Sequence, residues 1–188
     1  MRIENDVHRA RPWRVHELAR DFDLLDVWRF DIAGRSDELS RFLALHEARL
    51  EDDQIVDSAA ARFLFRLRWW LGEVFGLDGA QELPIPGTAE RSVRERLEAA
   101  PEDDGVDAGP FRRVYAGTEE ALYEISNRTV HALLHLGWVE TEGHYAPEMA
   151  VYVKPRGLSG RLYMRLIDPF RHLVVYPALM RDVRRAWG

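Results

Sequence analysis

Apolar and polar positions alternate with a period of two in the second half of the chain, from Phe111 onward. Such alternation is typical of strands that bury one face. The links between the alternating segments are short, as at Asn127-Arg128, so consecutive strands are expected to pair as hairpins in an antiparallel meander. The predicted strands are residues 111–116, 121–126, 129–139 and 145–153.

Helical spacing returns near the C-terminus. Apolar residues recur every three or four positions between Tyr163 and Trp187, which predicts a long C-terminal helix. Pro169 and Pro177 lack the N–H group that the interior of an α-helix needs, so this helix is expected to be kinked or broken. The patterns together predict an α+β protein, with an antiparallel sheet packed on this helix in one domain of residues 1–188.

The first half of the chain predicts one further strand, over residues 24–32, and then several helices. Ser36 is a residue type that caps helices, and the two acidic residues after it suit a first helical turn. A second helix is expected over residues 58–75 and a short one over residues 92–99. These helices would form an insertion after the first strand.

The composition is that of a globular protein and narrows the partners it can have. Of its 188 residues, 46% are hydrophobic, 31% are charged and none is cysteine, which excludes thiol catalysis and zinc–thiolate sites. The net charge is −6 and the basic residues are scattered, so no nucleic-acid-binding face is expected. Charges interrupt the best apolar stretch, and the N-terminus lacks a signal-peptide pattern. We therefore expect a cytoplasmic protein without a membrane span.

The most distinctive candidate chemistry is a pair of histidines in the predicted strand of residues 129–139. Alternation puts His131 and His135 on one face of that strand. Two imidazoles among aliphatic side chains suit acid–base or hydrogen-bonding work, because histidine titrates near neutral pH. Alternatively, both belong to the core or its rim and bind backbone or water. The next strand is expected to add three side chains to the histidine face: Met149, Val151 and Val153.

Other catalytic chemistries have less support in the sequence. A metal site at the two histidines would need a third ligand, and nothing in the spacing singles out Glu148, Asp168 or His172. The chain has no Gly-x-Ser-x-Gly motif, which argues against a serine hydrolase. The sequence therefore predicts no metal, no cofactor and no identifiable catalytic residue.

Four blocks of the sequence are distinctive: DFDLLDVW at residues 21–28, LYEISNRTVHALLHLGWV at 122–139, MAVYVKP at 149–155 and DPFRHLVVYP at 168–177. Through these blocks, most of the chain resembles a bacterial domain family of unknown function that is similar to the polyketide-cyclase/START-like (SRPBCC, helix-grip) superfamily. The resemblance implies a curved antiparallel sheet that grips a C-terminal helix, with an apolar cavity for a lipid, a polyketide or another hydrophobic ligand. It transfers no catalytic residue. The Gly-x-Gly-x-x-Gly motif of nucleotide-binding reductases is missing, so no nicotinamide chemistry follows.

Three functions remain open at this point. The first is a protein that binds a hydrophobic small molecule between the sheet and the C-terminal helix. The second is a structural or interaction module with a filled core, and the third is a cyclase or dehydratase that uses His131 or His135. The binding hypothesis ranks first and the module second. The expected ligand-binding residues are His131, His135, Met149, Val151, Tyr163, Phe170 and Val174.

Overall fold

The computed structural model describes residues 1–51, 91–97, 107–108, 111–127 and 129–188. The helix expected over residues 58–75 lies outside these ranges. Within them the α+β class is confirmed, because one antiparallel sheet carries a long C-terminal helix.

The strands of the described chain are β1 (Arg2–Ile3), β2 (Asp23–Arg29), β3 (Asp107–Ala108), β4 (Phe111–Ala116), β5 (Glu120–Ser126), β6 (Val130–Thr141) and β7 (His144–Pro155). They form one sheet in the order β1-β2-β7-β6-β5-β4-β3, and every neighbouring pair is antiparallel. Strands β4 to β7 are the predicted meander, and each lies within two residues of the expected bounds. Strand β2, from the start of the chain, pairs with β7 and completes the centre of the sheet.

The helical elements of the described chain are α1 (Asn5–Arg9), α2 (Val15–Leu18), α3 (Leu39–Glu51), a 3₁₀ turn (Val93–Arg96), α4 (Gly157–Phe170), a π turn (Arg171–Val175) and α5 (Tyr176–Trp187). Helix α3 is the one expected after Ser36, but it begins at Leu39, so the expectation that Ser36 caps it and that the next two acidic residues form its first turn is wrong. The helix expected over residues 92–99 is only the 3₁₀ turn, which Ser92 caps by accepting the N–H of Arg94. The predicted start therefore agrees with the structure, whereas the chain is already extended at Leu97, where the prediction was helical.

The C-terminal helix has an irregular middle, where the π turn joins α4 to α5. Pro169 lies inside α4 and removes one donor from its hydrogen-bond ladder. Pro177 lies in the first turn of α5, a position that proline tolerates. The expected break therefore takes the form of a wider turn between the two prolines, and such π turns are frequent at functional sites.

The sheet has an apolar core on each of its two faces. We call one the arm face, because the N-terminal arm (residues 4–22, including α1 and α2) covers it together with the 3₁₀ turn. We call the other the helix face, because α3 and α5 cover it. Tyr176 and Val183 of α5 are buried in the helix-face core, which confirms the expected packing of the C-terminal helix on the meander.

The register of the β6–β7 hairpin corrects one expectation. The turn consists of Glu142 and Gly143, both with positive φ, so Thr141 pairs with His144. A turn of two residues pairs odd-numbered positions of β6 with even-numbered positions of β7. His135 therefore lies opposite Ala150. Leu134 lies opposite Val151, and Leu136 lies opposite Met149. The expectation that Met149, Val151 and Val153 share the histidine face is wrong, since all three lie on the helix face.

Gly160 marks a close approach between α4 and the start of β6. A Cβ atom at this position would overlap the carbonyl oxygen of Thr129. Helix propensity alone would make Gly160→Ala stabilising by about 1 kcal/mol. We expect the overlap with backbone to outweigh this, so that Gly160→Ala lowers the free energy of unfolding by about 1–2 kcal/mol in urea denaturation.

Gly117→Ala is the control for this prediction, because a Cβ there would be 3.5 Å from the Glu120 carbonyl oxygen, an ordinary contact. A Gly160→Ala protein that is as stable as the original would show that α4 can move away from β6 at little cost.

Candidate functional site

The structure divides the predicted ligand-binding residues between the two sides of the sheet. His131 and His135 are buried on the arm face. Met149 is buried and Val151 half-buried on the helix face. The remaining three, on α4 and the π turn, are half-buried: Tyr163, Phe170 and Val174. A single site that contains all seven residues is therefore not formed.

His131 is part of a buried polar group that fastens the 3₁₀ turn to the sheet. Its Nε2 atom is 2.6 Å from Glu124 Oε1, while the Ser92 hydroxyl donates to Oε2 at 2.5 Å and the Val93 N–H donates to Oε1 at 2.8 Å. Burial alone would raise the pKa of Glu124, but these hydrogen bonds outweigh it and hold the pKa below its usual value. The carboxylate lies between the serine and the histidine, so the imidazole cannot take a proton from the hydroxyl as it would in a catalytic triad.

His135 is fully buried on the arm face beside the N-terminal arm. Its Nε2 atom donates to Glu120 Oε2 at 2.9 Å, and its buried Nδ1 atom has no hydrogen-bond partner among the described residues. Gly137 allows the Trp13 ring to lie over β6, because a Cβ atom there would be 2.8 Å from the indole. Burial lowers the pKa of His135 to about 4, so the imidazole is neutral at pH 7.

A second chain of hydrogen bonds on the arm face connects His8 and His16 of the N-terminal arm to Tyr152 and Glu148 of β7. His16 Nε2 faces the His8 carbonyl at 3.2 Å and must donate to it, so Nδ1 of a neutral His16 accepts the Tyr152 hydroxyl hydrogen at 3.2 Å. The Tyr152 oxygen is also within hydrogen-bond distance of His8 Nε2, at 3.0 Å. His8 Nδ1 is 3.1 Å from Glu148 Oε1, which also accepts. His8 of the N-terminal arm thus lies between the Tyr152 hydroxyl and the Glu148 carboxylate of strand β7.

The same contacts shift the pKa values of two groups in this chain, His16 and Glu148. Burial, and then the charge of His8, lower the pKa of His16. Burial would raise the pKa of Glu148, but the bonds from His8 and Arg29 outweigh it and the pKa is lowered. His8, His135 and Glu148 are each 0% exposed, so solvent does not reach these three side chains. We interpret this chain of hydrogen bonds as the attachment of the arm to the sheet.

The helix face holds a different polar group, which we call the Asp26 cluster: Asp26, Trp28, Arg171, His172 and Tyr176. A β-bulge at Leu25 separates Leu24, which is paired with Tyr152, from Asp26, which is paired with Val151. The bulge turns the Asp26 carboxylate to the helix face, and β-bulges re-aim side chains in this way next to functional sites. The π turn brings the basic residues to the same place.

The carboxylate of Asp26 is 1% exposed and is surrounded by donors. Its Oδ2 atom accepts from Arg171 Nη2 at 2.6 Å and from the Tyr176 hydroxyl at 2.9 Å. His172 Nε2 lies 3.2 Å from Oδ1, and Arg2 Nη2 lies 3.7 Å from the same oxygen. Burial raises the pKa of Tyr176, Arg171 opposes this, and Asp26 adds to it, so the phenol stays protonated and donates to Asp26.

The indole of Trp28 completes the Asp26 cluster. Its ring centroid is 5.0 Å from that of Tyr176 and 6.1 Å from that of His172. Two N–H donors of the cluster, Trp28 Nε1 and Arg171 Nε, are buried and have no hydrogen-bond partner in the part of the chain that the structure describes. This cluster of a buried carboxylate, basic groups and free donors is the strongest candidate site on the helix face.

The sequence interpretation missed most of this cluster. It considered His172 and Asp168 only as a third metal ligand, and it did not single out Asp26, Trp28, Arg171 or Tyr176 as a group. One signal was available, because Asp26 is an acidic residue within an otherwise apolar run of strand β2. Among the described residues, no group of three or more histidine or acidic side chains could hold a metal ion.

A family model described as "Protein of unknown function (DUF2867)" matches residues 18–178. The chain belongs to the DUF2867 family. Membership of a domain family of unknown function, which the sequence blocks predicted, is thereby confirmed. All five residues of the Asp26 cluster lie within the part that matches the DUF2867 model, whereas His8 and His16 precede it. No curated protein matches this DUF2867 chain. No solved structure matches it either.

The helices that the structure describes in this DUF2867 chain include none that is long and apolar enough to span a membrane.

Proposed function

We propose that this protein binds a hydrophobic small molecule, of lipid-like or polyketide-like character, between the helix face of the sheet and α4. One observation supports the proposal most. Helix α5 buries Tyr176, Ala178 and Val183, whereas α4 and the π turn together bury only Gly160. The C-terminal helix is therefore well packed in its second half and loosely covered in its first half.

The loosely covered part carries an apolar stripe. Tyr163, Ile167, Phe170 and Val174 follow one another at intervals of three or four residues and are all half-buried. Apolar area removed from water contributes roughly 25 cal/mol per Å², so a ligand that covers this stripe would gain affinity from it. Val151, which is half-buried on the helix face of β7, supplies an apolar surface on the sheet.

The helix-grip, START-like architecture is part of the same proposal. It is supported by an antiparallel sheet that carries the C-terminal helix on one face, and we treat residues 1–188 as one such domain. We retain Met149, Val151, Tyr163, Phe170 and Val174 as ligand-binding residues. We leave out His131 and His135, because they are buried on the arm face and each directs Nε2 at a glutamate.

Two adjacent residues of the π turn provide a matched test. Val174 is half-buried on the stripe, while Leu173 is 77% exposed. We expect the protein to enhance the fluorescence of the neutral probe N-phenylnaphthylamine in a saturable titration. Val174→Glu should weaken probe binding about tenfold or more, because a charge would enter the apolar site, and Leu173→Glu should change it less than about twofold.

Circular dichroism and thermal melting would verify that both variants are folded. The proposal fails if the original protein binds no probe. It also fails if Leu173→Glu reduces binding as much as Val174→Glu, because the probe would then bind the exposed outer surface, as expected of an interaction module with a filled core.

A further inference from the structure

We infer that the ligand carries a carboxylate head group, which the Asp26 cluster binds through the N–H groups of Trp28 and Arg171. The inference rests on the proposed function, because it concerns the polar end of the same molecule. It assigns a chemical class to the ligand and a binding role to Trp28 and Arg171.

The cluster adjoins the apolar site on the same face of the sheet. Trp28 pairs with Met149 and Asp26 pairs with Val151, so these four side chains share the helix face. Arg171 follows Phe170 directly and precedes Val174 by three residues, so it lies between the last two members of the apolar stripe. A molecule that lies along the stripe would therefore end at the Asp26 cluster.

The unpartnered groups of the cluster are donors. Trp28 Nε1 and Arg171 Nε are buried without a partner among the described residues, and neither atom can accept a hydrogen bond. A buried donor that remains unpaired costs about 1–3 kcal/mol, so a ligand that satisfies both gains affinity from each. The matching group is an acceptor with two oxygens, which is the chemistry of a carboxylate.

The acidic residues of the cluster do not compete for these donors. Asp26 accepts from Arg171 Nη2 and from Tyr176, and Asp168 Oδ1 accepts from Arg171 Nη2 at 2.9 Å. Both carboxylates thus contact the terminal nitrogen of the guanidinium and leave Nε uncommitted. The charges of Asp26 and Asp168 are matched by those of Arg171 and Arg2, so a ligand anion does not enter a site of net negative charge.

Competition against N-phenylnaphthylamine tests the inference with two probes of equal chain length, dodecanoate and 1-dodecanol. Dodecanoate should displace the fluorescent probe at about tenfold lower concentration than 1-dodecanol, because only the anion makes two charge-assisted bonds. Trp28→Phe keeps an aromatic ring and removes the N–H group. It should reduce the preference for dodecanoate over 1-dodecanol about three- to tenfold.

Trp187→Phe is the matched control, because Trp187 also packs against the helix-face core but donates its Nε1–H to the Ala33 carbonyl at 2.9 Å. It should leave the preference for dodecanoate unchanged. In the ¹⁵N–¹H spectrum of the unmodified protein, the Trp28 indole signal should shift with dodecanoate and much less with 1-dodecanol. This second readout keeps the inference testable if Trp28→Phe folds poorly.

The two proposals fail in different ways. If the fluorescent probe binds but dodecanoate and 1-dodecanol compete equally, the head-group inference is wrong while the proposed function stands. The assignment to Trp28 is overturned if its indole signal is indifferent to dodecanoate. If no probe binds at all, both proposals are wrong.

Discussion

A Glu148→Gln variant should unfold with a free energy about 3 kcal/mol lower than that of the original protein. Glu148 is 0% exposed and accepts from His8 Nδ1 at 3.1 Å and from Arg29 Nη2 at 3.2 Å. Removal of one partner of a buried ion pair costs about 3–5 kcal/mol, because the remaining charge is left uncompensated. Arg29 is 17% exposed and can partly recover hydration, so we expect the lower end of this range. Urea denaturation at pH 7 provides the measurement.

Glu140→Gln is the control for this change, because Glu140 lies on the neighbouring strand β6 and is exposed. Its effect should be within about 0.5 kcal/mol. If Glu148→Gln lowered the free energy of unfolding as little as Glu140→Gln does, the His8–Glu148 pair would not be what holds the N-terminal arm. Limited proteolysis would add a local readout, since release of the arm should expose the backbone around α1 to cleavage.

The parts of the fold that depend on local pattern were predictable from the sequence. Strands β4 to β7 follow from alternation and short turns, and α3 follows from the helical spacing of the apolar residues from Leu39 onward. The packing of the C-terminal helix on the meander also follows, since both elements have one apolar side that must be covered. In each case the signal lies within about 20 adjacent residues.

The parts that depend on one-residue differences in register were not predictable from pattern alone. The face of Met149 and Val151 is decided by a turn of two residues at Glu142-Gly143, and a turn of three would reverse it. The face of Asp26 is decided by the bulge at Leu25. Neither feature changes the apolar pattern of the flanking segments enough to be recognised in one sequence.

The partners of the histidines were hidden for a different reason. His8 meets Glu148 across 140 positions and Tyr152 across 144 positions of the chain. Periodicity reports which face of a strand a residue occupies, but it cannot identify the segment that covers that face. The apolar residues that we propose as a binding site, from Met149 to Val174, could be singled out because they follow these local periods, whereas the Asp26 cluster does not follow them.

His135 should make the protein less stable as the pH falls from about 6.5 to about 4. Burial lowers the pKa of the folded protein's His135 to about 4, whereas histidine in an unfolded chain has a pKa near 6.5. Between these values the unfolded state binds a proton that the folded state excludes, so the free energy of unfolding decreases with decreasing pH. The difference of about 2.5 pH units corresponds to about 3 kcal/mol at most.

His135→Gln isolates this contribution, because glutamine retains an N–H donor for Glu120 and does not titrate. The variant has a lower stability at pH 7 through lost ring packing, but its curve of unfolding free energy against pH should be shallower between pH 6.5 and about 4. Glu120, Glu124 and Glu148 have lowered pKa values, so their contribution to the free energy of unfolding is lost only as the pH falls below about 4.5. All three are present in both proteins. Parallel curves for the two proteins over this interval would show that His135 is able to charge within the fold, which would contradict the lowered pKa that follows from its burial.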